Sequence, residues 1–152
     1  MGGRPSSPHA VGGHRPGHRA DPTRDGAAAA LGRGGWALTI LPERLAALPA
    51  RELPGGLRLC RAATRRTRGR GLAGLDDLPA DVALHLVPCR SIQTMGMRFA
   101  LDLLWLDGDC DLLRLDEAVA PRRMRTCLRA RSVIEARGGA GAEFAAALRA
   151  GR

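Results

Sequence analysis

Between Met95 and Trp105 every odd-numbered residue is apolar: Met95, Met97, Phe99, Leu101, Leu103 and Trp105. The even positions begin as Thr94, Gly96, Arg98, Ala100 and Asp102 and end as Leu104 and Leu106. A period of two is the pleat of a β-strand, so one face is buried throughout and both faces near the end. Asp107-Gly108 reads as a hairpin turn that sends Cys110–Leu115 back antiparallel. A chain with this segment at its centre is committed to a sheet.

The flanking segments supply its neighbours. Trp36–Leu41 has the make-up of a first strand, and Pro42 suits the first turn of a short helix presenting Leu45 and Leu48. Pro49, Pro54, Gly55 and Gly56 break the chain before a second strand candidate, Leu57–Ala62. Thr64 is placed to cap an arginine-rich helix that stops near Gly69 or Gly71. Val82–Leu86 alternates and is halted by Pro88. Leu128–Ala136 reads as a strand whose outer face, with Arg129 and Arg131, is mostly basic. Residues 141–150 form a short helix packing Phe144 and Leu148. The expected class is α+β, mainly β: a small curled or barrel-like antiparallel sheet with two or three short helices at its edges.

Residues 1–35 carry Gly, Pro, His and Arg with only an Ala run for apolar content, which predicts a disordered tail. Residues 36–57 read as a strand-and-helix extension, and residues 58–152 as the β-rich domain. Only Trp36, Trp105, Phe99 and Phe144 are aromatic, so the core must be Leu, Val, Ile and Ala. All 24 basic residues are Arg, a bias that a genome rich in G and C would produce.

The net charge of +9 is segregated. Residues 51–70 carry a net +6, residues 71–120 a net −6, and residues 121–152 a net +6. Such a layout is partly satisfied internally, so the external field is weaker than the total suggests. No run approaches the ~18 apolar residues that span a bilayer, and Ala27–Leu31 is too short for a signal-peptide core. A soluble, cytoplasmic protein is expected. Cys60, Cys89, Cys110 and Cys127 lack C-x-x-C spacing, which argues for half-buried small residues over a disulfide framework or a zinc site with His85. No metal and no cofactor are expected.

The segment Ser91–Gly108 resembles the signature of a bacterial and archaeal family, domain of unknown function 192 (DUF192), S-x-x-T-x-G-M-[RK]-x-x-[IL]-D-x-x-[FW]-[IL]-D. Arg61–Thr64 with Arg68–Gly74, Val133–Ala136 with Gly138 and Gly139, and Leu148–Arg152 are similar to the family's other conserved stretches. Ala63, Gln93, Ala100 and Arg152 depart from the family pattern. The resemblance implies a compact β-rich domain without an assigned activity.

Three functions follow as expectations. The first is a non-catalytic binding or accessory domain for a small anionic ligand or a protein partner, through a polar site of Arg68, Thr94, Arg98 and Asp102. Arg98 and Asp102 lie about 13 Å apart in a straight strand, and meet only if the chain bends near Phe99-Ala100. The second is a weak nucleic-acid binder using Arg65, Arg66, Arg68 and Arg70 on phosphates, together with the stretch from Arg122 to Arg131, although no aromatics interleave for base stacking. The third is a hydrolase drawing on Ser91, Thr94, Cys89, His85 and Asp102, for which the chain offers no nucleophile elbow.

Overall fold

The computed structural model describes residues 41–151; the tail at 1–35, most of the Trp36–Leu41 strand and Arg152 lie outside the described residues. The elements follow as α1 (Glu43–Ala46), β1 (Ala50–Leu53), β2 (Leu57–Ala62), α2 (Arg65–Arg70), β3 (Val82–Leu86) and β4 (Ser91–Gln93). They continue as β5 (Leu101–Leu106), β6 (Leu112–Val119), β7 (Met124–Thr126), β8 (Ser132–Arg137) and α3 (Gly141–Ala150). The class is mostly β with three helices among the described residues, as composition and periodicity imply.

Six strands form one sheet in the order β1-β2-β3-β8-β5-β6, and β4 pairs with β7 in a separate ribbon. The sheet is mixed, which corrects the antiparallel expectation: β2 and β3 run parallel. Residues 63–81, which contain α2, join them, and a crossover of that length lets the chain return and run in the same direction.

The central strands β3, β8 and β5 are buried on both faces, as continuous apolar runs require. On one face Leu84, Leu86, Leu101, Leu103, Trp105 and Val133 pack under Leu72, Leu78, Ile92 and Met97. On the other, Leu59, Ala83, Leu104, Ile134 and Ala136 pack beneath Phe144, Ala145 and Leu148 of α3.

Four local readings change. The long strand through Met95–Trp105 is strand only from Leu101; Met95 is 56% exposed, and Gly96, at φ +74°, turns the chain. The last strand begins at Ser132, leaving Leu128, Arg129 and Arg131 exposed in the approach to it. β1 forms between Pro49 and Pro54, where prolines suggested only a break; it is an edge strand, and its carbonyls and amides pair with β2. Pro42 sits one position earlier than expected, as the cap of α1, its carbonyl accepting from the amides of Leu45 and Ala46.

The hairpin forms where Asp107-Gly108 predicts it, but the left-handed residue is Cys110, at φ +66°, and not Gly108. The Asp107 carboxylate accepts from the amides of Asp109 and Asp111, a side-chain turn that fixes the loop from its first residue.

Candidate functional site

The helix α2 starts where the sequence says it should. Thr64 accepts from the Thr67 amide at 3.1 Å, and the Thr67 hydroxyl accepts from the Thr64 amide at 3.1 Å, a reciprocal capping box. Arg68 binds the helix to the sheet ends, donating to the Ala63 carbonyl at 2.6 Å and the Val87 carbonyl at 3.2 Å. Gly71 ends the helix at φ +44°, a conformation that L side chains rarely adopt.

Between α2, the loop after it, and strands β3, β4 and β8 lies a cavity of about 420 Å³. Arg65, Arg68 and Arg70 stand along one side. Leu72, Leu86, Ile92, Met95 and Met97 make much of the wall apolar. Cys89 and Glu135 also line it.

Glu135 is the unusual member. It is 5% exposed, opposite Leu84 and Leu103 in the sheet register, and its Oε2 has no hydrogen-bond partner. Burial pushes its carboxyl up to about 7, because the charged form loses its hydration. Burial also pushes the Cys89 thiol up; its Sγ donates to the Ser91 carbonyl at 3.2 Å. The cavity thus combines guanidiniums, an apolar wall and a carboxyl that titrates near neutrality. That combination can hold a small charged ligand, and the raised thiol offers no ready thiolate for nucleophilic attack.

Of the four residues expected to form the polar site, only Arg68 reaches this cavity. Arg98 is exposed and pairs with Asp76 instead of Asp102. Asp102 is buried on the opposite face of the sheet, where Oδ1 accepts from the Ala118 amide and Oδ2 from the amides of Gly139 and Gly141, each at 2.8 Å. The chain bends at Arg98 and Phe99, but the two side chains have separate partners. Thr94 is buried next to the cavity wall; its hydroxyl donates to the Ala120 carbonyl and accepts from the Arg123 amide, both at 2.8 Å. It fastens the chain after β4 to the chain before β7.

The arginine cluster divides. Arg65, Arg68 and Arg70 face the cavity, while Arg66 and Arg70 line a hollow of about 220 Å³ against α1. The large apolar side chains exposed among the described residues are Met95, Met124 and Leu128, none of them aromatic. Of the residue types for a hydrolase, Cys89 and Ser91 both line the cavity, while Thr94, Asp102 and His85 do not. Ser91 shares a hydrogen bond with Thr126 at 3.1 Å, and His85 lines a separate hollow of about 160 Å³ with Arg51, Leu59 and Arg61. Burial and the two arginines hold the His85 imidazole down to about 4. All four cysteines are free, and no group of three or more His, Cys, Asp or Glu among the described residues is placed to hold a metal.

Glu135 was missed by the sequence reading, which placed it on a basic outer face. The available signal was a lone acid inside the apolar run Val133-Ile134-Glu135-Ala136.

The fold and this site define a small sheet domain, clad on both faces, with an arginine-flanked cavity beside the sheet. The chain belongs to the family described as uncharacterized ACR, domain of unknown function 192, whose model matches residues 52–148, well over half of the sequence. No functionally curated protein matches it. A crystal structure of a protein of unknown function from Novosphingobium aromaticivorans DSM 12444 is similar, with a TM-score of 0.52 and 15% identity over 68% of this chain and 91% of that one. A protein from Sinorhizobium meliloti 1021, provisionally described as a transcription regulator, is similar with a TM-score of 0.53 and 16% identity, over 62% of this chain and 82% of that one. Likeness at such identities speaks to the fold alone. No described helix is long and apolar enough to cross a membrane.

Proposed function

We propose that the protein is a non-catalytic binding domain whose site is the cavity beside α2 and whose ligand is a small anion with an apolar part. The observation that carries this reading is the convergence of Arg65, Arg68 and Arg70 on a cavity of about 420 Å³ with an apolar wall. Guanidiniums are fixed, planar donors suited to carboxylates and phosphates. In this reading Thr94 and Asp102 hold the framework, and Arg98 secures the loop at Asp76. The sheet in this reading is curled, which the register shifts in the β5–β6 pair would favour. The compartment is the cytoplasm, consistent with four free thiols.

Ligand-observed NMR of the full chain against small carboxylates, inorganic phosphate and short peptides tests it. Anion binding should be lost in an Arg65→Ala/Arg70→Ala protein whose melting temperature is unchanged. Equal binding by that variant sinks the site assignment. Duplex and single-stranded oligonucleotides at two salt concentrations form a control arm. Tight binding that falls steeply with salt would favour phosphate-backbone recognition instead.

A further inference from the structure

Glu135 is out of place for a site that takes only anions. Buried polar groups are nearly always paired, because an unpaired one loses its hydration with nothing in return. The Glu135 carboxyl has lost its hydration, and its Oε2 has no partner. Ion pairs among the described residues join Arg98 to Asp76, Arg114 to Asp116 and Arg137 to Asp77, and none of the three cavity arginines forms one with Glu135. A carboxylate ligand on the arginines leaves Glu135 unanswered. A ligand that brings its own cationic donor answers both.

We propose, building on the anion-binding reading, that the cavity is selective for a small apolar amino acid or its close analogue, whose ammonium donates to Glu135 while its carboxylate meets the arginines. The side chain of such a ligand has Leu86, Ile92 and Met97 to pack on. Gly71, the cap that follows α2, lies beside the carboxyl: a Cβ there would stand 3.9 Å from Glu135 Oε2, in ordinary contact, and the residue's φ of +44° favours glycine.

Pairing with an ammonium requires Glu135 in its charged form. The charged and titratable groups lining the cavity with it are Arg65, Arg68, Arg70 and Cys89. Burial raises the Cys89 thiol further from neutrality and brings Glu135 to about 7, so the change between pH 6 and 8 belongs to Glu135.

Three probes of matched shape separate the possibilities: L-leucine, its deaminated analogue 4-methylpentanoate, and its decarboxylated analogue 3-methylbutylamine. Binding to the full chain is measured by calorimetry at pH 6 and pH 8. Leucine is expected to bind at least about tenfold more tightly than either analogue, and more tightly at pH 8 than at pH 6, tenfold being about 1.4 kcal/mol. Glu135→Gln should reduce leucine affinity toward that of 4-methylpentanoate and leave the latter undiminished. If 4-methylpentanoate binds as well as leucine, the ammonium contact is wrong and the anion site stands. If Glu135→Gln binds leucine as wild type does, Glu135 is not the contact. If none of the three binds, the amino-acid inference is overturned, and the anion screen decides separately whether the site survives. The wild-type comparison among the probes decides the matter even if the variant does not fold.

Discussion

The amide of Gly141 donates to Asp102 Oδ2 at 2.8 Å, and a Cβ on Gly141 would stand 2.7 Å from the Asp102 Cβ and 2.9 Å from that same oxygen. The two residues are therefore a matched pair. Asp102, from the central strand β5, serves as the cap of α3, which has no capping side chain at Ala140. Its negative charge sits against the positive end of the helix dipole. The same carboxylate reaches Ala118 of β6 and the Gly139 turn, so one side chain ties three segments together.

Removing that carboxylate leaves three amides without their acceptor, at about 1–3 kcal/mol for each buried donor. Asp102→Ala is expected to lose about 3 kcal/mol or more, and Gly141→Ala about 1–3 kcal/mol from overpacking. Urea denaturation measures both. An Asp102→Ala protein within about 0.5 kcal/mol of wild type would show that the cap is dispensable.

Trp105 is fully buried, and its Nε1–H donates to Asp116 Oδ2 at 2.9 Å. Arg114 lies opposite Trp105 in the register, holds Asp116 through both carboxylate oxygens at 2.9 Å, and donates to the Thr126 carbonyl at 3.0 Å. Trp105→Ala should lose about 3–5 kcal/mol, a large part of a small domain's stability. Asp116→Ala should lose less, chiefly the orphaned indole donor at about 1–3 kcal/mol. Thermal melts of the two variants check the order; the reverse order would mean that the polar clamp, not the ring's packing, holds β5 to β6.

Two buried groups pull the pH dependence in opposite directions. Glu135 moves from 4.5 to about 7 on folding, so the folded state binds the extra proton between those values. Its contribution makes stability fall as pH rises through that window. His85 moves from 6.5 to about 4, so the unfolded state binds the extra proton, and stability rises with pH through its window. Wild type should therefore show a shallow profile between pH 5 and 6.5. Glu135→Gln removes the falling component and should unmask a rise. Urea midpoints at pH 5, 6 and 7.5 read the difference, and parallel profiles for the two proteins would refute the assignment.

The capping box at Thr64 and Thr67 holds the first turn of a six-residue helix that buries no side chain fully, so α2 depends on its cap more than on packing. Thr64→Ala should lose about 1 kcal/mol of stability. It should also loosen the cavity wall, which hydrogen exchange at Arg68–Gly71 would report. Unchanged exchange there would show that Arg68's bonds to Ala63 and Val87 suffice.

Local chemistry was readable wherever it closes within a few residues. The Thr64 cap, the Asp107 turn, the Leu57–Ala62 and Val82–Leu86 strands and the 141–150 helix all fall where the residues place them. The sheet's central strands were recognisable from apolar content. Their burial on both faces was plain only at Leu104 and Leu106, because a period of two cannot reveal whether a second layer covers the polar side. The candidate site fared worse. Arg98 and Asp102 were expected to meet only through a bend near Phe99-Ala100, but Arg98 pairs with Asp76 and Asp102 caps α3, so they lie in different surroundings.

By itself, the sequence determined the kind of domain: a leucine-rich sheet with short helices, a hairpin at Asp107, and an arginine-rich helix capped by Thr64. Those outcomes depend on φ/ψ preferences and side-chain periodicity, which act over neighbouring residues. Tertiary structure alone decided that β2 and β3 run parallel, that Asp102 caps a helix 39 residues away, and that Glu135 lines a cavity instead of facing water. Each depends on which distant segment is laid against a residue, because a carboxylate's role is set by the donors, charges and solvent around it, and those come from elsewhere in the chain.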